Sequence, residues 1–257
     1  MRLLIKLGGT LLDDAGSRQR LAREITQAVS RGDRSIVVVH GGGKQMTRFL
    51  EERGIESRFV NGLRVTTPEI CDAVVKVFAG SVNTSLVAAF RAAGARPVGL
   101  TGLDAGLVDA EVLNPELGLV GKPVRSDASI LDVLTGAGFL PIVACVAGDA
   151  SGAIYNVNAD QMAIACAGSF RAERLLFLTD VEGVRDAAGN TRETLNSQEA
   201  LGLIHDGVAT GGMQAKLEAA IEALRMGVTE VLIAPGAHPG VIGAVMEGRQ
   251  FGTRLIL

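Results

Sequence analysis

Short apolar runs alternate with helix-like patterns along the whole chain. Several of these runs are near-continuous and rich in Val, Ile and Leu, as expected for strands covered on both faces. Strands joined by helices favour a mostly parallel sheet with helices on both sides. The predicted strands are 3–7, 35–39, 96–100, 141–145, 174–178, 230–234 and a closing strand at 251–257.

Helix-start signals stand in the connections between these strands. Thr67 followed by Pro68 predicts a cap and a first turn, because proline fits the first helical position. The helix that follows is predicted to bury Ile70, Val74, Val77 and Phe78, which recur at helical spacing. Ser17 and Ser126 are predicted to cap two further helices, which end at Gly32 and Gly138. Asn158 is predicted to begin another helix in a pattern that resembles a capping box. A last helix is predicted from about Gly212 to Met226.

Composition narrows the classes of protein that fit this pattern. The net charge of −3 gives no reason to expect nucleic-acid binding. No apolar stretch reaches the ~18 residues that a membrane span requires, so no transmembrane helix is expected. Three cysteines without a C-x-x-C pair favour buried, reduced thiols in a cytoplasmic protein and argue against a zinc site. Glycine supplies 33 of 257 residues, well above the typical ~7%, so many tight turns are expected.

Three glycine clusters stand at strand ends or helix starts. They are Gly8-Gly9 after the first strand, Gly41–Gly43 after the second, and Gly211-Gly212 before a late helix. Strand ends are where open α/β sheets bind ligands, and bare N–H groups at helix starts favour anions. A Walker loop is excluded because Gln45 follows Gly43-Lys44, and a dinucleotide fingerprint is excluded because position 46 is Met.

Charged and amide side chains stand beside these glycines. Lys6 lies in an otherwise apolar strand, where a buried lysine needs a partner. Lys216 follows Gly212 by one helical turn, at a helix end that attracts anions. Asn156, Asn158 and Asp160 form a polar cluster that capping explains only at Asn158. Two cations near glycine-rich turns suit a phosphoryl group. Taken alone, however, Lys216 is more typical of a solvated lysine on a helix surface.

Six short segments contain these residues or lie between them along the chain. They are Ile5-Lys6-Leu7-Gly8-Gly9, Val39-His40-Gly41-Gly42-Gly43, Asn61-Gly62-Leu63-Arg64-Val65-Thr66, Asn156-Val157-Asn158-Ala159-Asp160, Thr179-Asp180-Val181-Glu182-Gly183-Val184 and Gly211-Gly212-Met213-Gln214-Ala215-Lys216. Together and in this order they resemble the amino acid kinase family, and the third and fourth resemble its acetylglutamate branch. The resemblance implies an αβα sandwich around a mainly parallel sheet, with residues 1–172 binding the amino acid and forming a dimer, and residues 173–257 binding ATP.

The resemblance also implies a reaction and a role for each matching residue. The reaction is transfer of the ATP γ-phosphoryl, with Mg²⁺, to the side-chain carboxylate of N-acetyl-L-glutamate in arginine biosynthesis. Lys6 and Lys216 would stabilise the transferring phosphoryl, Asp160 would orient both lysines, and Gly8, Gly9, Gly42 and Gly43 would donate backbone N–H groups. The substrate-binding set would be Gly41, Gly42, Gly43, Arg64, Asn156 and Asn158; the nucleotide-binding set would be Thr179, Asp180, Val181, Gly183, Val184, Arg185, Val208, Ala209, Thr210, Gly212 and Met213.

This chemistry agrees with the residue types. An acceptor carboxylate is already ionised at neutral pH, so no general base is required. Positive charge and positioning must instead overcome the repulsion between two anions. No acidic cluster dedicated to a metal is visible, which is compatible with Mg²⁺ held by phosphates and water.

Regulation and acceptor identity leave alternatives open. The chain begins at its first strand, and residues 247–253 depart from the arginine-binding signature of hexameric relatives. We therefore expect a homodimer that arginine does not inhibit, with the helix after Pro68 at the dimer contact. One alternative is a related enzyme acting on glutamate, aspartate, a carrier-linked aminoadipate or UMP. The other is a protein that keeps the fold and binds acetylglutamate or nucleotide without catalysis.

Overall fold

The structure is a computed structural model that describes residues 1–31 and 34–257. Gly32, the predicted end of the first long helix, lies outside the described residues. The strands of the described chain are β1 (Arg2–Leu7), β2 (Ser35–His40), β3 (Phe59–Val60), β4 (Leu63–Arg64), β5 (Pro97–Thr101), β6 (Val108–Val112), β7 (Val120–Ser126), β8 (Leu140–Ala144), β9 (Val146–Gly148), β10 (Ile154–Val157), β11 (Arg174–Thr179), β12 (Thr194–Asn196), β13 (Glu230–Pro235) and β14 (Thr253–Ile256).

Eight strands form the central sheet, in the spatial order β12-β14-β13-β11-β1-β2-β8-β5. Every neighbouring pair is parallel except β13 with β14. All seven predicted strands occur within two residues of their predicted limits. The prediction of a mainly parallel sheet is therefore confirmed. The apolar runs in the sequence correspond to the buried strands β1, β2, β8, β11 and β13.

A second, smaller strand assembly was not predicted. Strands β6, β7, β9 and β10 close into a small barrel that mixes parallel and antiparallel pairs. The sequence gives it little signal, because β7 contains Lys122, Pro123 and Arg125 instead of an apolar run. Strand β10 of this barrel carries Asn156, so the barrel positions part of the predicted site.

The helices fill the connections of the central sheet. A π-helical segment, Val75–Val82, joins two of them into one continuous helix over residues 68–92. The helices are α1 (Gly9–Asp13), α2 (Ala15–Ser30), α3 (Gly43–Glu51), α4 (Pro68–Val74), α5 (Asn83–Ala92), α6 (Ser129–Gly136), α7 (Ala159–Ser169), α8 (Ser197–His205), α9 (Gly211–Arg225) and α10 (Val241–Met246).

Two of the four predicted caps are correct. The Thr67 hydroxyl accepts the N–H of Ile70, and Asn158 caps α7. Ser17 is not a cap, because Asp14 precedes α2 and its carboxylate accepts the Ser17 N–H. Ser126 is not a cap either, since it is the last residue of β7 and α6 begins three residues later.

The continuous helix Pro68–Ala92 has the length and hydropathy of a membrane span by composition alone. The sequence pattern predicted no such segment, because charged and polar residues interrupt its apolar positions. Its predicted inner face, Ile70, Val74, Val77 and Phe78, is buried in the hydrophobic core. This helix is thus packed along one side like the core helix of a globular fold.

The central sheet runs without interruption through the predicted boundary between residues 172 and 173. That boundary falls just before β11, and β11 pairs in parallel with β1 at the centre of the sheet. Helix α7 packs against β1 and also against α9. The two predicted lobes therefore meet at β1 and β11, where Lys6 lies.

Candidate active site

Lys6 lies on the central strand β1 between buried apolar neighbours. Its Nζ atom is 2.7 Å from Asp160 Oδ1, and the two side chains are only 11% and 13% exposed. Asp160 stands in the first turn of α7, which Asn158 caps by accepting the N–H groups of Asp160 and Gln161. The prediction that a lysine in this strand requires a partner is confirmed.

A cleft of about 600 Å³ opens next to Lys6. Two predicted glycine clusters form part of its lining, and Gly9 faces Gly43 across it: a Cβ on Gly9 would lie 3.9 Å from the Gly43 nitrogen. Helix α3 begins at Gly43, so its first N–H groups have no partner within the helix. The lining residues are Lys6, Leu7, Gly9, Thr10, Asp13, Gly41, Gly42, Gly43, Lys44, Thr47, Arg48, Glu51, Phe59, Arg64 and Ala159.

Gly8 does not fit its predicted role as a free N–H donor. Its N–H donates to the Leu178 carbonyl over 3.0 Å, and a Cβ at Gly8 would lie 2.9 Å from that oxygen. Gly8 thus allows β1 and β11 to approach closely where they end. Gly42 is also tightly packed, because a Cβ there would lie 2.7 Å from Phe78 Cδ1.

Arg64 is 8% exposed and extends from β4 toward the start of α3. Its guanidinium donates to the Ser57 hydroxyl and, over 2.7 Å, to the Thr47 hydroxyl, and it stacks 4.6 Å from the Phe59 ring centroid. Burial lowers the pKa of Arg64 from its ordinary value. Neither hydrogen bond goes to a carboxylate, although the charge of Glu51, which also lines the cleft, partly offsets the effect of burial on the Arg64 pKa. The guanidinium can therefore still donate hydrogen bonds to an anion in the cleft.

The two predicted asparagines have different surroundings. Asn156 donates from Nδ2 to the Thr66 hydroxyl over 3.0 Å, which ties the barrel to the segment that carries Arg64. The side-chain oxygen of Asn158 caps α7 by accepting backbone N–H groups of its first turn. Neither lines the cleft in the described part of the chain. Their predicted contacts with a substrate stay predictions.

Lys216 lies one turn into α9, and its Nζ donates to the Gly212 carbonyl over 3.3 Å. Across residues 1–31 and 34–257 it makes no ion pair with Asp160. The predicted contact of Asp160 with both lysines is therefore present for Lys6 and absent for Lys216. Among the described residues its Nζ contacts this carbonyl and no carboxylate, so it is open to an anionic ligand at the start of α9.

The predicted nucleotide-binding residues form two segments, one from the end of β11 into the loop that follows it and one from the loop before α9 into its first turn. The Thr179 hydroxyl donates to Asp180 over 3.1 Å, and the Val184 N–H donates to Thr253 over 2.8 Å. Gly183 is confined, since a Cβ there would lie 2.7 Å from the Thr253 hydroxyl. Both segments are mixed in exposure. The exposed residues are Asp180, Val181, Arg185, Thr210 and Gly212; Val208 and Met213 are half-buried; Thr179, Gly183, Val184 and Ala209 are buried.

Several residues at the cleft were not identified from the sequence. Thr47 and Ser57 hold Arg64, and Lys44 adds a cation to the cleft. Helix α3 itself, which presents Thr47 and Lys44, lacks a conventional cap residue and was not predicted. Helical spacing of Met46 and Leu50, both buried, was the available signal.

The described residues contain no group of three His, Cys, Asp or Glu side chains arranged to hold a metal. The three cysteines are buried and free, as predicted. Burial raises the pKa of the Cys145 and Cys166 thiols to about 12.

The sequence matches the model of the amino acid kinase family over residues 1–235. The chain belongs to the amino acid kinase family. An acetylglutamate kinase of Solibacter usitatus is 57% identical, with 100% of this chain and 99% of that protein covered. An acetylglutamate kinase of Bartonella tribocorum is 42% identical and covers 99% of this chain and 89% of its own length. The predicted family is confirmed.

Solved structures agree with this membership. The N-acetylglutamate synthase of Neisseria gonorrhoeae, complexed with coenzyme A and N-acetyl-glutamate, superposes with a TM-score of 0.86 at 25% identity over 100% of this chain. This chain spans 59% of that synthase. A carbamate kinase of Giardia lamblia bound to AMP-PNP has a TM-score of 0.71 at 16% identity over 99% of this chain and 98% of its own. The latter likeness concerns the fold alone.

Proposed function

We propose that this chain transfers the γ-phosphoryl group of ATP to the side-chain carboxylate of N-acetyl-L-glutamate, giving N-acetyl-L-glutamyl 5-phosphate. The observation that carries the proposal is the cleft beside Lys6, where a buried cation, the start of α3 and Arg64 surround one volume. The full-length similarity to acetylglutamate kinases supports this acceptor over other carboxylates.

The charges around the cleft suit a reaction between two anions. The acceptor carboxylate is already ionised, so the protein has to attract and align it and need not remove a proton. Lys6, which lines the cleft, and Lys216 at the start of α9 would neutralise charge that builds up on the transferring phosphoryl. Asp160 would hold Lys6 in place through their 2.7 Å contact.

Arg64 and the glycine loop that leads into α3 would hold the amino acid. A guanidinium binds a carboxylate through two parallel hydrogen bonds, which sets orientation as well as affinity. The N–H groups of Gly42 and Gly43 at the start of α3 would bind the reacting oxygens, since a helix start favours anions. Mg²⁺, if used, would be held mainly by phosphates and water, because the described residues form no carboxylate cluster for it.

The test is ADP release under ATP and Mg²⁺, with acetylglutamate present or omitted. We expect release that depends on acetylglutamate and is far slower with glutamate or aspartate. Faster release with another carboxylate would point to a different acceptor. Binding of acetylglutamate by calorimetry without ADP release would instead identify a protein that binds but does not catalyse.

We further propose a cytoplasmic homodimer that joins along the exposed side of the helix Pro68–Ala92 and is not inhibited by arginine. In this arrangement residues 1–172 bind the amino acid and residues 173–257 bind ATP. Light scattering that gives a hexamer, or strong inhibition when arginine is added to the ADP-release assay, would contradict this assembly and regulation.

A further inference from the structure

His40 and Asn83 form a buried polar pair directly behind the Gly41–Gly43 loop. His40 ends β2 and has no exposed surface, and Asn83 begins α5 and is 5% exposed. Asn83 Nδ2 lies 3.0 Å from His40 Nε2 and 2.9 Å from the Ile142 carbonyl oxygen. Burying two such side chains is costly unless they are partnered, and the proposed reaction uses neither as a base.

The partners decide which ring nitrogen of His40 carries the proton. His40 Nδ1 lies 2.8 Å from the carbonyl oxygen of Gly41, which can only accept, so Nδ1 donates. The Asn83 amide has two hydrogens, one for Ile142 and one for His40 Nε2, so Nε2 accepts. A neutral ring with its proton on Nδ1 gives a partner to both ring nitrogens and to both hydrogens of the Asn83 amide. Burial lowers the pKa of His40 to about 4, which keeps this neutral form at neutral pH.

The hydrogen bond from His40 fixes the orientation of the Gly41–Gly42 peptide. In a trans peptide the carbonyl and the next N–H point in opposite directions, and the described chain has no cis peptide. Since the Gly41 carbonyl faces His40, the Gly42 N–H is directed away from it. Gly41 and Gly42 line the cleft. Phe78 and Val82 pack against the loop at Gly42, where an added Cβ would lie 2.7 Å from Phe78 Cδ1 and 3.2 Å from Val82 Cγ2.

The π-helical part of the long helix contains Phe78 and Val82, and Asn83 is the residue that follows it. π-helical turns widen a helix locally and are frequent at functional sites. Here the turn packs Phe78 and Val82 against the loop, and the residue after it, Asn83, donates a hydrogen bond to His40. The loop is thus held from behind by one helix and one histidine.

We propose that His40 and Asn83 are positioning residues for phosphoryl transfer: Asn83 holds His40 in one tautomer, and His40 turns the Gly42 N–H toward the reacting oxygens. The inference rests on the proposed function, because the reacting oxygens belong to its substrates. His40 acts through the Gly41 carbonyl and does not touch the substrate.

Two isosteric variants separate the two hydrogen bonds of His40. In His40→Asn the amide nitrogen takes the place of Nδ1 and still donates to Gly41. In His40→Gln the amide group takes the place of Nε2 and the donor to Gly41 is lost. We expect His40→Asn to keep kcat within about fivefold of wild type, while His40→Gln loses about 10²-fold, the usual cost of misplacing a reacting group by 1 Å. The KM values for ATP and acetylglutamate should change little in both.

Asn83→Ala and Leu86→Ala form the matched pair on the helix. Leu86 is buried in the same helix one turn further on, so its truncation lowers the melting temperature without releasing His40. Asn83→Ala should lower kcat about tenfold more than Leu86→Ala at equal or smaller loss of melting temperature. Equal losses of kcat in this pair, or in His40→Asn and His40→Gln, would overturn the positioning role.

Nitrogen-15 spectra of the histidine rings test the pair without any reaction. The resonances that disappear in His40→Asn belong to His40, and we expect a neutral ring protonated at Nδ1 at pH 7. A ring protonated at Nε2, or a charged ring, overturns the inference whatever the activity. Absence of acetylglutamate-dependent ADP release from the wild type, with the expected spectrum, overturns the proposed function instead.

Discussion

Lys6 Nζ and Asp160 Oδ1 lie 2.7 Å apart, in side chains that are 11% and 13% exposed. Strand β1 supplies the lysine and the first turn of α7 supplies the carboxylate, so one contact joins the sheet to the helix above it. Losing one partner of such a pair leaves an uncompensated charge away from water. The contact therefore affects both the stability of the fold and the proposed chemistry.

Replacing Lys6 separates these two effects when kinetics and unfolding are measured together. Lys6→Ala is expected to lower kcat by about 10²–10³-fold, because a cation that stabilises the transition state is lost. The free energy of unfolding should fall by about 2–4 kcal/mol, since Asp160 stays buried without its partner. Steady-state ADP release and urea denaturation measure the two changes. A kcat within a few-fold of wild type would show that Lys6 has no catalytic role.

Lys216 provides the contrasting variant. Its Nζ contacts the Gly212 carbonyl, and in the described residues it forms no ion pair. Lys216→Ala should therefore lower kcat by a similar factor while changing the free energy of unfolding by less than about 0.5 kcal/mol. A large loss of stability, measured by the same denaturation, would mean that Lys216 supports the fold instead of a ligand.

Arg64 is expected to act on substrate binding more than on turnover. Arg64→Ala should raise the KM for acetylglutamate by about 10- to 100-fold, the worth of a charge-assisted hydrogen bond, with a smaller change in kcat. Arg64→Lys is the control, since it keeps the charge but cannot bind a carboxylate with two parallel bonds. Calorimetric titration with acetylglutamate checks the affinity directly. A raised KM for ATP alone would contradict the assignment of Arg64 to the amino acid.

Gly42 and Gly43 give a matched pair one residue apart. A Cβ on Gly42 would lie 2.7 Å from Phe78 Cδ1, whereas a Cβ on Gly43 meets no atom within 4 Å. Gly42→Ala should therefore lower the free energy of unfolding by about 1–3 kcal/mol, as overpacking does, and displace the loop so that kcat falls. Gly43→Ala should leave stability near that of wild type. Thermal melts of both variants decide the point, and equal melting temperatures would contradict the packing argument.

The central sheet, and the requirement of Lys6 for a charged partner, could be predicted because both have local signals in the sequence. Apolar β-branched runs mark buried strands wherever they occur, and a lysine inside one requires an opposite charge. The choice of Asp160 as that charge came from the resemblance to the family, because the two residues are 154 positions apart and no periodicity connects them.

Other features depend on contacts between distant residues and left no local signal. The small barrel of β6, β7, β9 and β10 pairs short strands that contain Gly, Pro and charged residues. The use of the Gly8 N–H by Leu178 follows only from the pairing of β1 with β11. In the sequence His40 stands beside a glycine-rich turn, and its partner Asn83 is 43 positions away on the long helix, so no local pattern connects the two.

The stability of the fold should depend on pH through His40. Burial lowers the pKa of this ring from 6.5 to about 4, an effect that its bond to Gly41 only partly offsets. Between these two values the unfolded chain binds more protons than the folded chain, so stability rises as the pH increases through this window. The contribution is complete above pH 6.5 and is lost as the pH falls toward 4.

Urea denaturation at a series of pH values measures this dependence. Between pH 7 and pH 4.5 we expect the wild type to lose about 2–3 kcal/mol that His40→Asn does not lose, because asparagine does not titrate. Asp149, whose pKa hydrogen bonds from Ser151 and Tyr155 lower to about 2, contributes stability that disappears only at lower pH, and it is present in both proteins. Parallel slopes for the two proteins over this window would show that His40 is not held neutral in the folded state.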